Sequence, residues 1–67
     1  MNELRLRVLQ ARTKLAGAGY NSFPTEAFCK KFGHEKTPRL VNIINGKTDD
    51  DQITNQIETF VDHLIDG

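Results

Sequence analysis

The chain has 67 residues with nine Lys/Arg and nine Asp/Glu, one cysteine and no tryptophan. That length holds one small domain with a modest core, and the single Cys29 excludes an internal disulfide and favours a reducing compartment. No apolar run approaches the ~18 residues of a membrane span, and Arg5, Arg7 and Arg12 interrupt the N-terminal apolar residues that a secretory signal needs, so a soluble, cytoplasmic protein is expected.

Zero net charge conceals a strong asymmetry. Residues 1–47 carry all nine basic side chains against Glu3, Glu26 and Glu35, a net +6. Residues 48–67 carry six carboxylates (Asp49, Asp50, Asp51, Glu58, Asp62 and Asp66) and no Lys or Arg. Such a split points to a polyanion partner on one side, or to two halves that attract each other.

In chain order, residues 3–16 read as a helix. Leu4, Val8, Ala11 and Leu15 recur at helical spacing, Asn2 suits the N-cap, and Glu3 suits the positive end of the dipole. Leu6 and Leu9 lie off this stripe and either widen the buried face or, for Leu6, meet a second subunit. Gly17-Ala18-Gly19 ends the helix. A short second helix is expected over 24–32, started by Pro24 at its first position or by Thr25 as cap. Ala27, Phe28 and Phe32 point inward, Lys30 and Lys31 outward, and Gly33 opens a turn.

The third helix, 37–45, is marked at both ends. Thr37 is an N-cap whose hydroxyl accepts from the first turn, Pro38 fits the first helical position, and Gly46 supplies the left-handed residue that closes the helix. At about 100° per residue Leu40, Val41, Ile43 and Ile44 share one arc, while Arg39, Asn42 and Asn45 share the other. Thr48 or Asp49 is expected to cap a fourth helix of about 16 residues, with three aspartates in its first turn and a stripe of Ile53, Ile57, Phe60, Val61 and Leu64. Gln52, Asn55, Glu58, Thr59 and Asp62 face out. The expected fold is therefore all-α, a compact four-helix domain over 1–67 containing a helix-turn-helix unit.

Arginine and asparagine are the side chains that pair bidentately with guanine and adenine edges, so Arg39 and Asn42 are candidate base contacts. Lys30, Lys31, Lys36, Thr37, Asn45 and Lys47 are candidate phosphate contacts, with Arg12 as an extension. Enzyme chemistry finds little support. Cys29, His34 and Glu35 lack metal-ligand spacing, Asp49-Asp50-Asp51 lacks the alternation and glycine of a calcium loop, and His63 has no nucleophile near it in sequence. We expect no metal, cofactor or small-molecule substrate.

Glu26-Ala27-Phe28 through Gly33, followed by Thr37 to Ile43-Ile44-Asn45-Gly46-Lys47, resembles the helix-turn-helix of the Cro/phage-repressor family. The resemblance covers roughly residues 24–47. It implies a small transcription regulator from a phage or mobile element, usually a homodimer, that binds double-stranded DNA and commonly acts as a repressor. The alternative is an interaction module or DNA mimic that uses the carboxylates of the fourth helix against a basic partner.

Overall fold

The computed structural model describes residues 2–67, which form four α-helices and no strand. The first, α1 (Glu3–Gly17), begins where Asn2 Oδ1 accepts a hydrogen bond from the Leu4 amide at 2.8 Å. Val8, Ala11 and Leu15 are its buried stripe, and Leu4 is only half-buried. The helix runs one residue past the expected end and is closed by Gly19 N–H to Ala16 O and Tyr20 N–H to Leu15 O.

The second helix, α2 (Thr25–Phe32), starts differently from either expectation: Pro24 is the residue before the helix, and no side chain caps it. Its inward face also differs. Phe28 and Cys29 are buried and Phe32 partly so, whereas Ala27 is exposed. In a two-turn helix the buried arc is decided by the largest side chain. Phe28 is fully buried and meets Phe60 at 5.5 Å and Phe23 at 5.6 Å between ring centroids, which turns Cys29 inward and Ala27 out. Phe23 is buried although it lies in the loop before α2.

The third helix, α3 (Pro38–Ile44), is as its sequence marks it but shorter than 37–45, since Thr37 and Asn45 are its caps. Thr37 Oγ1 accepts from Leu40 N at 3.1 Å. At the other end Gly46 N–H bonds Ile43 O and Lys47 N–H bonds Asn42 O, the paired bonds that satisfy two orphan carbonyls when a left-handed residue follows the helix. Gly46 takes that conformation at φ 75°, and a Cβ there would sit 2.8 Å from Leu9 Cδ2. The same glycine thus ends α3 and lets α1 approach it, which accounts for Leu9 lying off the α1 stripe.

The fourth helix, α4 (Asp51–Asp66), is capped by Asp50 rather than by Thr48 or Asp49, through Oδ1 to Ile53 N at 2.8 Å. Only Asp51 falls in its first turn. Ile53, Ile57, Phe60 and Val61 are buried as expected, Leu64 is partly buried, and Thr54 is buried with them. Asp49 is left free for Arg5, and the two meet at 2.7 Å.

The most extensive helix pairing is α1 with α4. Arg5 meets Asp49, Arg7 meets Asn55 and Glu58, and Lys14 meets Asp62, so the two helices ascend in the same direction. α3 packs on both of them and α2 on α4. α2 and α3 follow each other across residues 33–37, but each is held by α4 more than by the other.

Candidate nucleic-acid interface

Charge is not distributed in space as it is in sequence. Three of the four ion pairs among the described residues join α1 to α4 or to the residue before its cap: Arg5–Asp49, Arg7–Glu58 and Lys14–Asp62. Arg7 makes a fork, Nε to Glu58 Oε2 at 3.1 Å and Nη2 to Oε1, with a further bond to Asn55 Oδ1 at 2.7 Å. That hydrogen bond raises the Arg7 pKa and is the largest cause of the lowered Glu58 pKa. Asp62 raises Lys14 in the same way. Much of the polarity along the sequence is therefore the mutual attraction of two halves, and two of the α4 carboxylates, Glu58 and Asp62, are turned onto α1.

The opposite side of α3 is uncovered. With Leu40, Ile43 and Ile44 buried, Pro38, Asn42 and Asn45 face solvent, Val41 is half-buried, and Arg39 projects from one flank with 63% of its side chain exposed. Arg39 Nη2 lies 2.8 Å from Asp50 Oδ2. Asp50 is held below the usual carboxylate range, first by the Ile53 amide it caps and then by Arg39, against the opposing effect of burial. At the far end of α3, Arg12 Nη1 donates to Asn45 Oδ1 at 2.8 Å and to Ile44 O at 3.2 Å. Arg12 thereby places a cation on the negative end of α3 and ties it to α1. Asn45 keeps its amide N–H groups for an outside acceptor, while Asn42 makes no side-chain hydrogen bond among the described residues.

The lysines outside any ion pair among the described residues are Lys30, Lys31, Lys36 and Lys47, all exposed. They lie on the outer face of α2, in the turn and just past α3, with Glu26 and Glu35 as the acidic residues of that segment. Thr37 is exposed too, although its hydroxyl oxygen is engaged in the cap. Sequence reasoning found this face but missed Asp50 and Arg12 as its supports. An N-cap aspartate eleven residues after Arg39 carries a weak signal, whereas nothing local announces a contact from Arg12 to residues 32 and 33 positions away.

Other groups are accounted for within the fold. His34, in the turn before α3, is half-buried: Nε2 lies 2.6 Å from Gln56 Oε1 and the ring stacks on Phe28. Cys29 is buried and free. Among the described residues no three His, Cys, Asp or Glu side chains are grouped as metal ligands. No helix among them is long and apolar enough to cross a membrane. An open groove of about 350 Å³ between α1 and α4 is lined by Arg7, Gln10, Lys14, Glu58 and Asp62, whose charges are paired across it. No family model, curated protein or solved structure matches the chain.

Proposed function

We propose that this protein binds double-stranded DNA through the front of α3, as a small transcription regulator of the Cro type. The carrying observation is where charge remains after internal pairing: four exposed lysines without carboxylate partners among the described residues, Lys30, Lys31, Lys36 and Lys47, lie on α2, in the turn and just past α3, whose polar face is uncovered, while Glu58 and Asp62 of the acidic helix are paired with α1. A seven-residue helix fixed at both ends is a rigid object of the width a major groove accepts. On this reading Asn42 and Arg39 meet base edges, and the lysines with Thr37 and Asn45 meet phosphates. The Arg39–Asp50 contact does not stand in the way. It engages one N–H of Nη2, and the remaining guanidinium donors are free to pair bidentately with a guanine edge, a contact that contributes about 1–3 kcal/mol.

The rival reading, in which Glu58 and Asp62 receive a basic partner, requires Arg7 and Lys14 to be displaced first. One recognition helix makes a small footprint, so two subunits on paired half-sites complete the proposal, with Leu6, 44% exposed on α1, as a candidate contact. Fluorescence titration of pooled duplex DNA at two salt concentrations tests it. Four neutralised phosphates give a slope of roughly −3 to −4 in log K against log salt. Arg39→Ala and Asn42→Ala each weaken binding to a selected duplex by about 1–3 kcal/mol. Absence of binding at low salt, or binding indifferent to salt, refutes the proposal.

A further inference from the structure

We propose that Asp50 is a positioning residue for Arg39, fixing its guanidinium so that the protein gains sequence discrimination at the expense of overall affinity. This rests on the reading that α3 meets a DNA duplex. Asp50 is a firm anchor: Oδ1 is committed to the Ile53 amide at 2.8 Å, and only 19% of its side chain is exposed. Its other oxygen, Oδ2, takes Arg39 Nη2 from a neighbouring helix. A guanidinium carries five N–H donors in a planar fork, and this contact is the one side-chain hydrogen bond Arg39 makes among the described residues. The remaining donors face solvent from a side chain that is 63% exposed. One corner is thus pinned and the rest of the plane is presented. A long side chain held in one geometry pairs with one arrangement of base-edge acceptors, whereas a freely rotating one settles on any phosphate.

The same carboxylate sets a negative charge beside the interface and repels every duplex alike. Discrimination and general affinity therefore move in opposite directions when Asp50 is neutralised. Asp50→Asn isolates the effect, since Asn caps a helix as well as Asp does but its amide N–H₂ cannot accept from Arg39.

The test takes wild type, Asp50→Asn, Arg39→Lys and the double variant. Anisotropy is measured at fixed salt on a duplex that wild type selects from a random pool and on its scrambled counterpart. Asp50→Asn is expected to bind the scrambled duplex at least as tightly as wild type, while the ratio of the two dissociation constants falls roughly tenfold. Arg39→Lys, which keeps the charge and loses the fork, is expected to lose the same discrimination, and the double variant to lose no more than either. Circular dichroism checks that the helices persist, and Asp50→Ser, another capping residue, replaces Asp50→Asn if the latter unfolds. An Asp50→Asn protein that discriminates as well as wild type overturns this inference and leaves DNA binding standing. So does one whose affinity for both duplexes rises equally. A wild type that binds no duplex at low salt overturns both.

Discussion

Gly46 carries more of the structure than any other small residue, because two independent demands meet on it. It adopts φ 75°, and Leu9 Cδ2 lies 2.8 Å from where a Cβ would be. An L-residue in the left-handed region costs about 1–2 kcal/mol, and moving Leu9 adds to that. Gly33 has φ 74° with open space around it. Gly46→Ala should therefore destabilise the protein by about 2–3 kcal/mol and Gly33→Ala by about 1 kcal/mol, read from urea unfolding; equal losses would show that the contact with Leu9 does not matter. Thr54 makes the opposite case. It is 1% exposed and its Oγ1 has no hydrogen-bond partner among the described residues. A buried unpaired hydroxyl is a liability, so Thr54→Val should hold or raise stability, by up to about 2 kcal/mol. A loss above about 1 kcal/mol would mean that a bound water satisfies the hydroxyl.

Among the elements, α2 is the one held by least. It has no side-chain cap, and its main attachment is Phe28, which packs against Phe23 and Phe60. Phe28→Ala should cost about 3–5 kcal/mol, close to the stability of so small a domain, with the α2 amides losing hydrogen-exchange protection before those of α1 and α4. Uniform loss of protection would instead make α2 integral to one cooperative unit. The helices were readable in the sequence wherever ends and faces carried local chemistry: Thr37-Pro38 and Gly46 around α3, Asn2 before α1, the stripe from Ile53 to Val61. What escaped was decided by contacts distant in sequence. Thr48, Asp49 and Asp50 are all competent caps. Asp50 alone combines capping of Ile53 with the contact to Arg39, while Asp49 pairs with Arg5. Phe23 has no periodic neighbours to betray its burial. The inward turn of Cys29 in place of Ala27 follows from where Phe28 meets Phe60.

The molecule as a whole is a basic helix and an acidic helix clasped side by side, with α3 displayed on them, and that arrangement has a pH signature. Asp50 and Glu58 have folded pKa values below their ordinary ones. Their contribution is complete above the ordinary carboxylate range, near pH 4, and is lost as pH falls through the lowered values. Lys14 is raised, so its contribution is complete below the ordinary lysine value, near pH 10.5, and is lost as pH rises through the raised one. Stability should be flat from about pH 5 to about pH 10 as far as these groups decide it, and should decline on the acid side. Urea unfolding midpoints at about pH 3 and pH 7 check this, and equal midpoints would mean that Asp50 and Glu58 contribute nothing. The candidate interface was legible as a polar helix face with basic neighbours. Its supports were not, since Arg12 and Asp50 reach it through the fold.

Amide and side-chain chemical-shift mapping by ¹H–¹⁵N NMR, with duplex DNA added at low salt, is the most direct measurement of the central claim. The account predicts perturbations concentrated at Lys36–Asn45 and Lys47, including the Asn42 side-chain amide, with Lys30 and Lys31 following and the Glu58–Asp62 face of α4 silent. Perturbations centred on that acidic face, or none at all, would contradict it.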